Sequence, residues 1–256
     1  MNLELKNKKV VISGASKGIG FAIAESFLKE GAKVILISRG IDQLEKARDS
    51  LRNIYGSSYV ESQVCDCSDE QALRALSEKI IKIWKKIDIV VCNIGDGRSV
   101  SDAIPTSSQW NRVWESNFNS ALYTSRVFMP FLQKSKGSLL FISSIAGIEA
   151  FGAPVDYSTA KSAIIAFAKN LSRKVASDFR VNVIAPGNVF FPNGSWDEKM
   201  KNNPKETTEL INSSVPMKRF GMPDEIADAV VFISSDRAKF ITGSVLVIDG
   251  GQTVNV

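Results

Sequence analysis

The chain has no histidine. That absence removes Ser-His-Asp triads, Cys-His pairs and His-ligated metals, and leaves acid–base chemistry to Tyr, Lys, Asp, Glu or Cys. Cysteine is scarce, with three in 256 residues. Cys65 and Cys67 form a C-x-C, but neither a histidine nor a second pair exists to complete a tetrahedral zinc site. They read as small buried fillers in a reducing compartment, and no metal is expected. Long apolar runs are also missing. None approaches the roughly 18 residues a membrane span needs, and no signal-type h-region opens the chain, so the expectation is a soluble cytoplasmic protein with no membrane partner. Blocks of like charge are absent as well. Lys and Arg number 32 against 27 Asp and Glu, for a net charge of +5. The basic residues are scattered, and "KNKK" at 6–9 is a solvated lead-in to an apolar strand, so no nucleic-acid partner is expected.

What is present is an alternation. Apolar, β-branched runs stand at 9–13, 33–38, 59–64, 87–92, 138–143, 181–185 and 244–249. Helix-period segments such as "GFAIAESFLKE" and "STAKSAIIAFAKNLSRKVAS" lie between most of them. Strands apolar on both faces, alternating with helices, predict an α/β fold. It should be one Rossmann domain over 1–256, doubly wound, with a mostly parallel seven-stranded sheet covered by helices on both sides. No repeat, low-complexity stretch or linker divides the chain. One segment, 188–220, breaks the alternation, and its polar, proline-containing sequence with Phe190, Phe191 and Trp196 predicts a substrate-binding lid with short helices.

Directly after the first run comes "SGASKGIG". Gly14 suits the tight turn, Gly18 lets backbone approach a pyrophosphate, and Gly20 lets the helix starting near Ile19 pack on the strand. The helix end then offers free N–H groups to an anion. The second strand closes on Ser38 and Arg39 where NAD-binding chains carry a carboxylate. With Lys17 able to reach the same place, two cations favour a 2′-phosphate and hence NADP(H), with NAD(H) as the alternative.

"PVDYSTAKSAIIAF" at 154–167 sets Tyr157 and Lys161 one helical turn apart, on one face. A phenol with an ordinary pKa of about 10 is a poor acid near neutrality. A nearby ammonium is expected to lower it. Ser144, at the end of the fifth run, can donate a hydrogen bond to the same substrate oxygen.

These motifs, in this order and over essentially the full length, resemble the short-chain dehydrogenase/reductase family. "GASKGIG" resembles its coenzyme turn, which adds Ser16 and Ile19 to the cofactor contacts. "CDCSD" supplies Asp66 and Cys67 at the adenine, and "CNIG" places Asn93 and Gly95. "WESNFNSAL" carries Asn117, "FISSIAG" Ser144 and "YSTAK" Tyr157 and Lys161. "APGN" gives Pro186 and Gly187, followed by Val189. The resemblance implies a carbonyl–alcohol oxidoreductase in which Tyr157 is the acid/base and Ser144 its partner. It further implies that Tyr157 and Lys161 touch the nicotinamide ribose and that Asn117 holds a proton path. Homo-oligomers built on helices 107–133 and 155–177 are likewise a family expectation.

Two departures concern the ligand. Ile94 replaces the usual alanine, and Phe191 stands where a threonine commonly holds the carboxamide, leaving that contact to backbone near Val189. The generic resemblance is to 3-oxoacyl-carrier-protein reductases, but their carrier-docking arginines match Ser135 and Asp178 here. An aspartate facing an acidic carrier repels it. Asp96, Arg98, Glu149, Asn193 and Ser195 predict a polar pocket for a small, sugar-like molecule. "PGNVFFPNGSWDEK" resembles oxidoreductases of flagellin modification and surface-glycan pathways.

Overall fold

A computed structural model describes residues 1–254. Its sheet holds seven strands in the order β3-β2-β1-β4-β5-β6-β7, with every pairing parallel. The strands are β1 (Lys9–Ser13), β2 (Lys33–Ser38), β3 (Val60–Val64), β4 (Ile89–Cys92), β5 (Ser138–Ile142), β6 (Arg180–Pro186) and β7 (Val245–Ile248). The apolar runs therefore mark all seven strands to within one residue at each end, except that β4 starts two residues later, at Ile89, because Ile87 and Asp88 precede the ladder.

Alternation across each strand divides the core. Val10, Ile12, Val34, Leu36 and Ile184 face α1 (Gly18–Lys29), α2 (Ile41–Tyr55) and α9 (Pro223–Ser234). Val11, Ile35, Val90, Phe141 and Val183 face α3 (Glu70–Trp84), α5 (Ser120–Ser135) and α6 (Val155–Val175). Both faces are covered, as the doubly apolar strands require. Strand order reverses between β1 and β4, and the crevice beyond their carboxyl ends is where such folds bind ligands. Among the described residues no helix is long and apolar enough to cross a membrane.

The helix expected over 107–133 is not continuous. α4 (Ser107–Trp114) is joined to α5 through one π turn, Glu115–Asn119. Such a bulge re-aims the side chains it carries. Within the segment expected to be a lid, α7 (Ser195–Asn202) and α8 (Pro204–Ser214) form the short helices. Phe190 and Trp196 both pack on Phe220, with centroids 5.6 and 5.4 Å away.

Candidate active site

Three strand ends and one helix meet at the crevice. After β1 the chain turns through Gly14 (φ +67°) and Gly18 (φ +57°), in the left-handed region that glycine tolerates. At Gly20 a Cβ would lie 2.3 Å from the Gly14 carbonyl oxygen, so the turn can be this tight only with glycine. Asn93, after β4, donates to that same carbonyl at 3.0 Å and locks the turn from the side. Ser16 and Ser38 hydroxyls meet at 3.2 Å. Arg39 projects into water beside Asp66, 3.8 Å away, with 69% of its side chain exposed. A largely exposed guanidinium beyond β2, next to a glycine cradle at a helix N-terminus, fits an adenosine dinucleotide with a 2′-phosphate.

Three cofactor expectations change in detail. Lys17 does not extend toward Arg39; its ammonium donates to the Asn193 carbonyl in the lid at 3.1 Å. Cys67 is wholly buried, leaving only its main chain for an adenine. Phe191 lies on Gly18, where a Cβ would sit 2.7 Å from its ring, so the departure from threonine packs the 188–220 segment on the glycine turn. Val189 bridges Gly221 in a parallel ladder whose hydrogen bonds are made by Asn188 and Phe190, so the amide of Val189 faces the other way. Pro186 closes β6, and Gly187 packs on Asp249, where a Cβ would meet it at 2.7 Å. Ile19 lies partly buried in the first turn of α1.

Ser144 follows β5 and caps a short 3₁₀ turn, its hydroxyl accepting from Ala146 N–H at 3.1 Å. The Ser144 side chain also lowers the pKa of the Tyr157 phenol, opposing the upward effect of burial. Lys161 is 3% exposed and donates to the Ile142 carbonyl at 3.1 Å. Its ammonium lies 5.7 Å from the centre of the Tyr157 ring. Asn117, fully buried in the π turn, donates to the carbonyls of Asp96 (3.1 Å) and Val113 (3.0 Å) and accepts the Asp96 N–H (3.2 Å). Thus Asn117, Ser144, Tyr157 and Lys161 converge, although 44 positions separate the first from the last.

The electrostatics overturn one expectation. Burial pushes the Tyr157 phenol up; the Ser144 hydrogen bond opposes this and the Asp96 carboxylate adds to it. Burial also lowers Lys161 to about 8, because a desolvated ammonium loses much of its preference for the proton. Desolvation is the largest influence on the phenol, so its pKa lies above the ordinary value rather than below it. Tyr157 is a neutral donor at pH 7.

The other expected pocket residues ring this centre. Arg98 forms a two-pronged ion pair with Glu198, at 2.6 and 3.2 Å, joining the loop after β4 to α7. Asp96 lies 3.4 Å from Arg98. Glu149 accepts Val254 N–H at 2.9 Å. Asn193 takes a left-handed conformation (φ +59°) next to exposed Ser195. Sequence reasoning missed Asp156, which is fully buried beside Tyr157. Its only signal was a charged residue in the first turn of a helix.

The sequence pattern of a family described as enoyl-(acyl carrier protein) reductase matches residues 14–253. The chain is 34% identical to the short-chain dehydrogenase/reductase SDRA of Arabidopsis thaliana, over 97% of this chain and 95% of that one. It is 34% identical to the 3-oxoacyl-[acyl-carrier-protein] reductase FabG of Chlamydia trachomatis, over 97% and 98%. Its fold superposes on L-sorbose reductase from Gluconobacter frateurii, solved with NADPH and L-sorbose, at a TM-score of 0.92 and 30% identity over 100% of both chains. Glycine turn, parallel sheet and full-length likeness agree: the chain belongs to the short-chain dehydrogenase/reductase family of NAD(P)-dependent oxidoreductases.

Proposed function

We propose that the protein is an NADP(H)-dependent carbonyl reductase for a small, polar, sugar-like ketone, in a surface-glycan or flagellin-modification pathway. The observation that carries this reading is the meeting of Tyr157 with buried Lys161, whose ammonium lies 5.7 Å from the centre of the phenol ring, at the Gly95 end of the crevice beside buried Asn117. Residues 1–256 act as one cofactor-binding domain, with 188–220 as its lid. Gly14, Ser16, Lys17, Gly18, Ile19 and Gly20 cradle the pyrophosphate, Ser38 and Arg39 take the 2′-phosphate, and Asp66 and the Cys67 main chain take the adenine. Asn93, Gly95, Pro186, Gly187 and Val189 border the nicotinamide half.

Reduced nicotinamide, when bound, supplies the hydride. Tyr157 gives its proton to the carbonyl oxygen while Ser144 holds that oxygen by a hydrogen bond. Lys161, with a pKa near 8, exchanges protons around neutrality and restores the phenol. Asn117 holds the loop at Asp96 and opens the path to solvent. Asp96, Arg98 and Asn193 around the mouth suit hydroxyl groups better than an alkyl chain. The L-sorbose complex of the Gluconobacter protein supports a ketose.

A second reading, reduction of a 3-oxoacyl carrier protein, is favoured by the names of the FabG relatives. Ser135 and Asp178 at the docking positions weigh against it, since Asp178 adds a negative charge there. NADPH oxidation measured side by side with a ketohexose and with an acetoacetyl thioester separates the two: turnover of the thioester alone would replace the first reading with the second. We further propose a homo-oligomer, supported by the half-buried rings of Trp110, Trp114, Phe118 and Phe167 along α4 to α6.

A further inference from the structure

Asp156 is 0% exposed in the first turn of α6. A carboxylate taken out of water is unfavourable unless donors or charges replace the lost hydration. Here the compensation is local. The helix begins at Pro154, which offers no side-chain acceptor, so the early N–H groups need another partner. One Asp156 oxygen accepts the N–H of Tyr157 at 2.8 Å. The positive end of the helix favours the charge further.

The other oxygen reaches outward and accepts the hydroxyl of Ser99 at 2.5 Å. Ser99 belongs to the loop between β4 and α4, which is tied along its length. Asn117 grips the Asp96 main chain, Arg112 donates to the Arg98 carbonyl at 3.0 Å, and Glu198 holds the Arg98 guanidinium. Gly97 brings this loop onto the reactive ring itself: a Cβ there would touch Tyr157 at 3.8 Å. A slip of this loop would therefore move Asp96 and Arg98 relative to the phenol.

We propose that Asp156 is a positioning residue: one carboxylate oxygen fixes the backbone of Tyr157 and the other, through Ser99, keeps the substrate-facing loop in register with the phenol. This rests on the reading of Tyr157 as proton donor. Ser99→Ala cuts the outward link and leaves the helix start intact; Asp156→Ala removes both acceptors.

The test combines kinetics with backbone amide exchange on the full chain, using NADPH with a ketohexose and with acetoacetyl thioester. Ser99→Ala is expected to raise KM for the carbonyl substrate about fivefold or more with kcat within about twofold, while NADPH binding is unchanged. Exchange should quicken over 94–104 and stay as it was over 155–161. Asp156→Ala should quicken both segments and lower kcat by about tenfold as well. Wild-type KM, kcat and loop exchange in both variants, with only a lower melting temperature, would make Asp156 a simple helix cap and overturn the proposal. Absence of wild-type turnover on either carbonyl would count against the proposed substrates alone; in that case unchanged loop exchange in Ser99→Ala would still refute the link.

Discussion

Gly95 has no side chain, and Lys161 ends where one would begin. A Cβ on Gly95 would lie 2.7 Å from the Lys161 ammonium and 3.1 Å from the Asn117 amide oxygen. The glycine is thus a steric condition for the lysine to reach the back of the crevice. Gly95→Ala should displace Lys161 by a fraction of an ångström to an ångström and lower kcat/KM by about ten- to a hundredfold. Steady-state kinetics together with the melting temperature check this, the latter staying within a few degrees of wild type.

Lys161 is held against its own stability. Its pKa is about 8 in the folded protein against 10.5 for the ordinary ammonium, so the folded state holds the proton less tightly than the unfolded chain. The resulting destabilisation is complete below pH 8, shrinks as pH rises to 10.5 and is absent above that. Lys161→Met should therefore abolish turnover yet stabilise the protein at pH 7 by about 1–3 kcal/mol. Denaturant titrations from pH 7 to 10 should show that gain narrowing with pH.

Asp96 bears on the phenol through space. Its carboxylate adds to the upward push that burial gives Tyr157. Asp96→Asn should lower the Tyr157 pKa. In the alcohol-oxidising direction, which needs the phenolate, the rise of kcat/KM with pH should then occur at lower pH. A pH–rate profile for the variant against wild type checks the direction of that displacement.

Arg39 and Lys17 divide the roles once assigned to both. Arg39 is mostly exposed beyond β2, with a long 3.8 Å pairing to Asp66, whereas Lys17 is engaged with Asn193. Arg39→Ala should raise KM for NADPH by an order of magnitude or more and leave NADH little changed. Lys17→Ala should discriminate the two coenzymes far less and affect lid closure instead. Parallel kinetics with both coenzymes separate these effects.

Much of the fold was legible because a parallel sheet covered on both faces writes itself as short apolar runs between amphipathic helices. The placing of Tyr157 and Lys161 on one helix face was legible from their i, i+4 spacing, and Ser144 was singled out by the family resemblance. Other features were not. The π turn at Glu115–Asn119 arises from packing around buried Asn117 and leaves no periodicity signal. Lys17 is drawn to the lid by a main-chain carbonyl, an acceptor no composition reveals. Asp156 reads as an ordinary charged position until the fold buries it. The balance between burial and charge at Tyr157 depends on depth in the crevice, so the sequence suggested the opposite direction from the one found.

The most direct measurement is single-turnover oxidation of bound NADPH by Tyr157→Phe, alongside coenzyme affinity by fluorescence titration. NADPH should bind as in wild type, while the rate of carbonyl reduction falls by about 10²–10⁴ because the proton donor is gone. An unaltered single-turnover rate in that variant would mean the proton comes from elsewhere, and would contradict the account.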